Sequence, residues 1–349
     1  MRALRMTQWR REPELVDVDQ PHAGPGQVVV KVGGAGACHS DVHIIHGPGA
    51  PWPLPFTLGH ENAGWVHEVG AGVTSVEPGQ PVAVHWPWGC GGCSRCQAGG
   101  DNYCEGPSAA PGAAGGGGLG RDGGMAEYLL VPYARHLVAL PEGLSPIEAA
   151  PLTDAGLTPY HAVRRSLPKL TPVSTAVVIG VGGLGHMAVQ ILKALSAARV
   201  VAIDTKDAAL ELARSFGADV VLPAGRGVAG EVKRVTGGRG AELVLDCVGT
   251  EATLATAASC ARTLGDLTLV GVGGGTLPFG FFNLPLEVSL QSVYWGSRPE
   301  LVEVLELAAR GLLRAQVTTY RLDEALDAYR ALAVGTISGR AVVVPHGAA

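Results

Sequence analysis

Four cysteines fall within one fifteen-residue segment and have the spacing of a metal-binding loop. They follow the pattern Cys-x2-Cys-x2-Cys-x7-Cys at Cys90, Cys93, Cys96 and Cys104. Four thiolates fill the tetrahedral coordination of zinc and leave no open position, so the spacing predicts a structural zinc site. Buried cysteines without a metal are one alternative, and a nucleic-acid-binding zinc module is another. The module is disfavoured because Arg95 is the only cation between Trp86 and Gly106, too little charge to bind phosphates.

A second set of candidate zinc ligands is dispersed along the chain. Cys38 opens the sequence Cys-His-Ser-Asp-Val-His, and His60 follows about twenty residues later, beside Glu61. A catalytic zinc takes three protein ligands and keeps a fourth position exchangeable. Cys38 and His60 supply two ligands, and spacing alone does not identify the third. A small buried thiol and a hydrogen-bonded loop histidine are the alternatives for these two residues.

A glycine-rich motif predicts a dinucleotide site. The sequence Gly-Val-Gly-Gly-Leu-Gly runs through Gly180, Val181, Gly182, Gly183, Leu184 and Gly185, between a predicted strand and a predicted helix. Its glycines permit a tight turn and a close approach of the backbone to pyrophosphate. Asp204 ends the next predicted strand, where a carboxylate would bind the adenosine ribose hydroxyls and repel a 2′-phosphate. We therefore predict NAD rather than NADP; the alternative role for Asp204 is to cap the following helix.

The elements that must position these motifs differ between two parts of the chain. Residues 1 to about 150 have short apolar runs, such as Val28–Val32 and Pro81–Val84, between Pro and Gly turn signals, which predicts a β-rich domain. From about Thr175, strands alternate with amphipathic helices, which predicts a doubly wound parallel sheet. The predicted strands are Ala176–Ile179, Val200–Ile203, Leu243–Leu245 and Leu267–Val270, and the predicted helices are Leu184–Leu195 and Ala208–Phe216.

The last part of the chain predicts two helices and a strand. A capping box at Ser297–Glu300 starts the first helix, and the second runs from Asp323 to Val334, closed by Gly335. The strand Arg340–Val344 is expected to return to the first domain. The segment Gly112–Gly124 is too rich in glycine for a regular element, and we expect a mobile loop at the border of the substrate entrance.

Length and composition restrict the class of protein. The 349 residues exceed what one hydrophobic core organises, which predicts two domains. A net charge of −5 with dispersed cations argues against a nucleic-acid partner. No apolar stretch approaches the roughly 18 residues of a membrane span, and the first residues lack the apolar region of a secretory signal, so we expect a cytoplasmic protein without a membrane partner. Seven cysteines, an odd number, argue against a disulfide framework, and we expect Cys247 and Cys260 in the core.

Taken together and in this order, the motifs resemble the zinc-dependent medium-chain alcohol dehydrogenases. The resemblance is carried by Cys38-His39-Ser40-Asp41-x-His43, Gly59-His60-Glu61, the four-cysteine segment and the glycine motif, and it spans essentially the whole chain. It is closest to the bacterial NAD-dependent secondary alcohol dehydrogenases, through the sequence Ala-Pro-Leu-Thr-Asp-Ala-Gly-Leu-Thr at 150–158. The implied fold is α/β. A Rossmann NAD-binding domain at residues 155–295 interrupts a β-rich GroES-like catalytic domain at 1–154 and 296–349, whose structural zinc lobe lies at about 88–106.

The resemblance also implies roles for single residues. Asp154 stands where the family at large has its third catalytic zinc ligand, a cysteine, so we expect one catalytic and one structural zinc per chain. Carboxylate oxygen is an acceptable zinc ligand; the alternative for Asp154 is a helix N-cap. Ser40 is expected to take the alcohol proton and relay it through the nicotinamide ribose to His43. Asp41 is expected to orient His60, with Glu61 behind the metal.

Further positions resemble cofactor and substrate contacts of the family. His39 and Arg340 match pyrophosphate contacts, and Thr158, Val270 and Val272 match residues beside the nicotinamide, the two valines on the last strand of the cofactor domain. The candidate substrate pocket consists of Trp52, Trp86, Leu119, Tyr294 and Trp295. Core packing is an alternative for each of them, and above all for Trp52 and Tyr294.

The implied activity is the NAD-dependent interconversion of alcohols, above all secondary alcohols, with ketones or aldehydes. Bulky apolar walls would favour medium-sized apolar substrates. One alternative is a polyol-specific or aldehyde-specific enzyme of the same fold, and another is a catalytically silent, zinc-stabilised binding protein. A homodimer or homotetramer is expected.

Overall fold

The structure is a computed structural model that describes residues 1–106 and 115–347. The chain forms two compact units. The first unit joins Met1–Leu157 to Trp295–Ala349, and the second unit is Thr158–Tyr294. The boundaries predicted from the sequence, after residue 154 and before residue 296, lie within three residues of these limits. Of the glycine-rich segment predicted to be a loop, residues 112–114 lie outside the described residues.

The helices and strands are numbered in chain order. The first part of the chain contains β1 (Arg2–Met6), β2 (Glu14–Asp17), β3 (Val28–Ala37), α1 (His39–His46), β4 (Phe56–Thr57), β5 (Glu61–Val69), β6 (Pro81–Val84), α2 (Ser94–Gln97), β7 (Tyr128–Val131), β8 (Leu137–Ala139), α3 (Pro146–Ala149) and α4 (Leu157–Ser166). The middle contains β9 (Thr175–Ile179), α5 (Gly185–Leu195), β10 (Arg199–Asp204), α6 (Asp207–Ser215), β11 (Val220–Pro223), α7 (Val228–Val235), β12 (Ala241–Asp246), α8 (Glu251–Cys260), β13 (Ala261–Leu269) and β14 (Ser289–Ser292). The last part contains α9 (Arg298–Ala309), β15 (Val317–Arg321), α10 (Ala325–Ala333) and β16 (Arg340–Val344).

The first unit is built around the valine-rich strand β3. Its main sheet has the order β15-β16-β3-β5-β6-β8, with β7 also paired to β3, and a smaller sheet has the order β2-β1-β4. All but one residue of β3 are buried, so this strand lies at the centre of the core. The last strand, β16, pairs antiparallel with β3. This confirms the prediction that the end of the chain returns to the first domain.

The second unit is a six-stranded parallel sheet in the order β11-β10-β9-β12-β13-β14. Numbered within the unit, this is the order 3-2-1-4-5-6 of a doubly wound fold, with a helix in each connection from β9 to β13. The predicted strands and helices of this unit agree with the structure to within one or two residues, except at Leu267–Val270. The predicted fold class is therefore confirmed.

The prediction that Val270 and Val272 lie on the last strand of this sheet is wrong. Strand β13 ends at Leu269, and β14 forms the edge beyond it. Val270 is buried just after β13, whereas Val272 is 72% exposed in the following loop. The sequence gives no apolar signal for β14, which reads Ser-Leu-Gln-Ser, because an edge strand buries little of either face.

The helices of the last part follow their capping signals. Ser297 Oγ accepts a hydrogen bond from the Glu300 backbone N–H, and α9 begins at the next residue, Arg298. The predicted helix from Asp323 is shorter than expected, because residues 322–324 form a 3-10 turn before α10 begins. Among the described helices, none combines the length and apolar character needed to cross a membrane.

Candidate functional site

The dispersed ligand candidates meet in one buried cluster in the first unit. Single ligand atoms of Cys38, His60, Glu61 and Asp154 all lie within 4.8 Å of one another, and all four residues are buried. The register of the main sheet explains the meeting: Gly36 on β3 pairs with Glu61 on β5, so the end of one strand lies beside the start of the other. A Cβ at Gly36 would lie 2.8 Å from Cβ of Glu61. Glycine at this position therefore leaves room for the glutamate.

The donor set of this cluster fits zinc. His60 Nδ1 is 3.1 Å from Oδ1 of Asp41, close enough for the orienting contact that the family resemblance predicts. Among the described residues, His60 Nε2 makes no hydrogen bond; it lies 3.4 Å from Asp154 Oδ2, which is in turn 3.9 Å from Cys38 Sγ. A buried imidazole nitrogen aimed at a thiol and a carboxylate is a ligand arrangement that zinc accepts.

Negative charge concentrates at the cluster. Burial opposes protonation of His60, but the Asp41 and Asp154 carboxylates outweigh it and hold the pKa of His60 well above its usual value. Burial raises the pKa of Glu61 to about 7, against the opposing effect of Arg340. The Arg340 guanidinium donates to Glu61 Oε1, and both side chains are buried. A divalent cation would be favoured here because it neutralises several carboxylate and thiolate groups at once.

Tyr329 is a member of this network that sequence analysis missed. Its Oη donates to Asp41 Oδ2 at 3.1 Å, and the same oxygen accepts the Cys38 backbone N–H at 3.1 Å. Burial raises the pKa of Tyr329 well above its usual value, so the phenol keeps its proton and acts as donor. The sequence holds no signal for this contact, because 288 positions separate the two residues and a tyrosine on an apolar helix face reads as core.

The residues predicted for proton transfer lie on α1. Ser40 is half-buried, with Oγ 3.7 Å from Cys38 Sγ. His43 follows three positions later, which places it on the same side of the helix, and it is exposed. His39, predicted to contact pyrophosphate, is also exposed.

Two of the predicted pocket residues form an aromatic wall beside His60. The rings of Trp86 and Trp295 stack with centroids 3.9 Å apart, and Trp295 meets the His60 ring edge-on at 5.7 Å. Trp295 has a φ of 50°, a strained conformation for a large residue. The wall is held on both sides: Trp86 Nε1 donates to the Gly117 carbonyl at 2.8 Å, and His85 Nε2 donates to the Gly296 carbonyl at 3.0 Å.

The other predicted pocket residues are not part of this wall. Trp52 packs against Trp9 and Phe56, with ring centroids 6.5 and 6.1 Å away. The alternative of core packing therefore describes Trp52 better than a pocket position. Leu119 is half-buried, and Tyr294, the last residue of the second unit, is 36% exposed.

The four clustered cysteines also meet, as the zinc lobe requires. The four Sγ atoms lie within 4.8 Å of one another; they belong to Cys90, Cys93, Cys96 and Cys104. Backbone N–H groups of Cys96 and Glu105 lower the pKa of Cys93 to about 6, which favours a thiolate at neutral pH. Arg135, which sequence analysis missed, is hydrogen-bonded to this lobe at two places. It donates to Asp101 Oδ1 at 2.5 Å and to the Gly89 carbonyl. The set is suited to a structural zinc.

The glycine motif of the second unit has the backbone geometry of a dinucleotide turn. Gly180 has a φ of 83°, and a Cβ at Gly185 would collide with the Gly180 carbonyl. A Cβ at Gly182 would meet nothing within 4 Å, so the turn presents an open surface. The positive φ of Gly180 suits the tight turn, the open space at Gly182 lets the backbone approach a pyrophosphate, and the close contact at Gly185 lets the helix pack on the strand.

Asp204 ends β10 with both carboxylate oxygens engaged. Oδ2 accepts the Val181 N–H at 2.7 Å, and Oδ1 accepts the Lys206 N–H at 2.9 Å. The N-cap of α6 is Lys206, which has no side-chain capping bond, so the helix-cap alternative is not what the structure shows. Thr158 lies buried at the start of α4.

The two remaining cysteines differ. Cys260 is fully buried, and burial raises its pKa to about 11, as expected of a core thiol. Cys247 is half-buried as a whole residue, but burial of its thiol raises its pKa above the usual value. It follows the last residue of β12, where the chain leaves the sheet.

A doubly wound sheet with a dinucleotide turn, together with a β-rich unit that gathers a Cys–His–Asp cluster, defines a metal-dependent dehydrogenase. Comparisons with known proteins specify the family. A family model for the alcohol dehydrogenase GroES-like domain matches residues 24–142, and one for zinc-binding dehydrogenases matches residues 183–310. The chain belongs to the zinc-dependent medium-chain alcohol dehydrogenases, as the motifs predicted.

Relatives match along the whole chain. An NAD-dependent alcohol dehydrogenase of Sulfurisphaera tokodaii is 38% identical, covering 99% of this chain and 100% of the relative. An alcohol dehydrogenase of Geobacillus stearothermophilus is 35% identical over 98% of this chain and 99% of its own length. The crystal structure of the alcohol dehydrogenase from the archaeon Aeropyrum pernix has a TM-score of 0.91 and 38% identity, covering 99% of this chain and 100% of that one.

Proposed function

We propose that this protein is an NAD-dependent zinc alcohol dehydrogenase whose catalytic zinc is held by Cys38, His60 and Asp154. It interconverts alcohols with ketones or aldehydes. The observation that carries the proposal is the buried His60 Nε2, which lacks a hydrogen bond to any residue that the structure describes and lies close to ligand atoms of the other two candidates. The four-cysteine lobe holds a second, structural zinc. Full-length relatives that are NAD-dependent alcohol dehydrogenases support this activity.

The chain's own residues prepare the reaction. When bound, zinc supplies Lewis acidity that favours loss of the alcohol proton, and NAD supplies the hydride acceptor. Asp41 holds the His60 ring through Nδ1 and keeps Nε2 directed at the cluster. Ser40 accepts the alcohol proton while its own hydroxyl proton passes on in the direction of His43, and His43, on the same side of α1 and exposed, releases a proton to water.

The second unit binds the cofactor in this proposal. Gly180, Gly182 and Gly185 form the pyrophosphate turn, and the Asp204 carboxylate at the end of β10 selects NAD over NADP. The roles of His39 and Arg340 toward the pyrophosphate, and of Thr158, Val270 and Val272 toward the nicotinamide, are proposed from family resemblance.

We propose medium-sized apolar secondary alcohols as substrates. The Trp86–Trp295 stack presents flat apolar rings next to His60. A polyol enzyme would need hydrogen-bonding groups at this wall to match the extra hydroxyls of its substrate. The wall therefore favours apolar alcohols over polyols.

Metal analysis and a substrate panel test the proposal together. The unmodified protein should contain two zinc ions per chain and oxidise 2-butanol faster with NAD than with NADP, and faster than sorbitol. His60→Ala should retain one zinc ion and lose turnover. The matched variant His67→Ala, at an exposed position on β5, should keep both zinc ions and normal turnover. One zinc per chain in the unmodified protein, or an active His60→Ala, would overturn the assignment.

Two further properties are proposed on separate grounds. Self-association is supported by β14, the edge strand of the parallel sheet, and by the phenylalanines that precede it: Phe279, Phe281 and Phe282 are 82%, 78% and 92% exposed. Exposed apolar clusters of this kind commonly mark protein interfaces. A cytoplasmic location agrees with seven cysteines, none of which forms a disulfide bond among the described residues.

A further inference from the structure

A chain of buried hydrogen bonds leads from the C-terminal helix to the proposed catalytic zinc ligand. Tyr329 on α10 donates from Oη to Asp41 Oδ2 at 3.1 Å. Oδ1 of the same carboxylate lies 3.1 Å from His60 Nδ1. All three side chains are at most 2% exposed. The hydrogen bonds that begin at His60 therefore end on α10, a helix far in sequence from the proposed zinc ligands.

Asp41 is held by donors on both of its oxygens. Oδ2 accepts Tyr329 Oη and the backbone N–H of Cys38, and Oδ1 is left for His60. Without the phenol, Oδ2 would retain the Cys38 N–H alone, and the carboxylate could rotate about its last bond. Rotation of this carboxylate would move the acceptor that fixes the ring plane and tautomer of His60.

We propose that Tyr329 is a positioning residue for His60, which strengthens zinc binding at the catalytic site by holding Asp41 in place. The inference rests on the proposed zinc site and deepens it, since it adds a determinant of metal affinity on α10. Replacing the direct partner of a metal-bound histidine costs about 10- to 100-fold in metal affinity. Tyr329 acts one bond further out, so we expect an effect of about three- to tenfold.

Chelator-driven zinc release from the holoenzyme measures this effect. Tyr329→Phe removes one oxygen and keeps the ring in the core. The catalytic zinc should leave about three to ten times faster than from the unmodified protein, while the zinc of the four-cysteine lobe leaves at an unchanged rate. The catalytic phase is identified by its absence in His60→Ala. The matched control Tyr320→Phe removes a phenol from the partly buried tyrosine on β15 and should change neither phase.

A double-mutant cycle separates positioning from a general loss of stability. If Tyr329 acts through Asp41, Tyr329→Phe should change the catalytic release rate less than about 1.5-fold when Asp41 is already Ala, because the coupling partner is gone. Equal release from Tyr329→Phe and the unmodified protein would overturn the proposal. So would equal acceleration of both zinc phases, or a full effect in the Asp41→Ala background. If the unmodified protein holds no catalytic zinc, the proposed function fails instead, and the two failures are distinct.

Discussion

Asp154 is the proposed third zinc ligand, at the position where the family resemblance implies a cysteine, and a carboxylate there would change the metal site chemically. Carboxylate and thiolate carry the same formal charge, so the site keeps its electrostatic balance. A carboxylate oxygen is a harder donor than a thiolate sulfur. The set of Cys38, His60 and Asp154 would therefore hold zinc through one sulfur, one nitrogen and one oxygen donor.

Substitutions at Asp154 test whether it is a ligand. Asp154→Ala should lose one of two zinc ions and reduce kcat by more than about 100-fold. This exceeds the loss of about 10- to 100-fold expected for a residue that contacts a metal ligand and not the metal itself. Asp154→Cys should keep both zinc ions, because a thiolate is an equivalent ligand. Zinc content and turnover are measured on both, with exposed Asp19→Ala as the control. An Asp154→Ala protein with two zinc ions and normal turnover would show that the third ligand lies elsewhere.

Two buried histidines of the first unit make stability depend on pH. Burial lowers the pKa of His85 to about 4 and the pKa of His136 to about 2. Unfolded histidines titrate near 6.5, so below that pH the unfolded chain binds protons that the folded chain excludes. Stability should therefore fall as pH drops from about 6.5 toward 4, by about 1.4 kcal/mol per pH unit for each histidine.

His136→Phe isolates one of these contributions. Neither ring nitrogen of His136 has a hydrogen-bond partner in the described part of the chain, so Phe sacrifices no bond that the structure shows. The loss of unfolding free energy between pH 7 and pH 5 should shrink by roughly 2 kcal/mol relative to the unmodified protein. Denaturant titrations at the two pH values measure it. His22→Phe, whose native side chain is 80% exposed, should leave the pH dependence unchanged; an equal change in both variants would contradict the assignment.

At the scale of elements, the zinc lobe depends on a residue outside its own segment. Arg135 precedes β8 and bonds both Asp101 and the Gly89 carbonyl, next to the first cysteine ligand. The Asp101 side chain is only 3% exposed. Loss of its partner would leave a buried carboxylate uncompensated, which is strongly destabilising.

Arg135→Leu should therefore speed zinc release from the lobe and leave the catalytic zinc unaffected. We expect an acceleration of about tenfold or more, since a direct tie to the ligand loop is lost. Arg95→Leu is the control, because Arg95 forms an exposed pair with Glu105 inside the lobe and exposed pairs contribute little. Faster release in both variants, or in neither, would show that Arg135 does not hold the lobe.

The elements with regular apolar patterns could be predicted from the sequence, and those shaped by tertiary contacts could not. Strands β9, β10 and β12 are buried on both faces, so their apolar runs are unambiguous. Strand β14 exists because β13 offers a free edge, and its Ser and Gln residues carry no pattern. For the site, local motifs identified Cys38 and His60, but Asp154 needed family resemblance, and Tyr329 enters only through packing of α10 on α1.

At the scale of the whole molecule, the exposed phenylalanines before β14 predict an assembly. The double variant Phe281→Asp with Phe282→Asp should shift the protein from an oligomer to a monomer, because two charges in an apolar contact must be desolvated without partners. Light scattering after size-exclusion chromatography measures the mass. Val173→Asp, at a residue 81% exposed in the same unit, should keep the oligomer. A monomeric unmodified protein, or an unchanged double variant, would refute self-association at this edge.

The interrupted first unit also sets an order of events during synthesis. Tyr329, which holds Asp41, and Arg340, which holds Glu61, lie in the last part of the chain, after the whole of the second unit. A ribosome delivers domains in sequence, and each folds as its residues emerge. The nucleotide-binding sheet can thus be complete while the metal ligands still lack their buried supports. If Tyr329 positions His60 as proposed, stable capture of the proposed catalytic zinc awaits synthesis of α10 and β16, the elements that carry Tyr329 and Arg340.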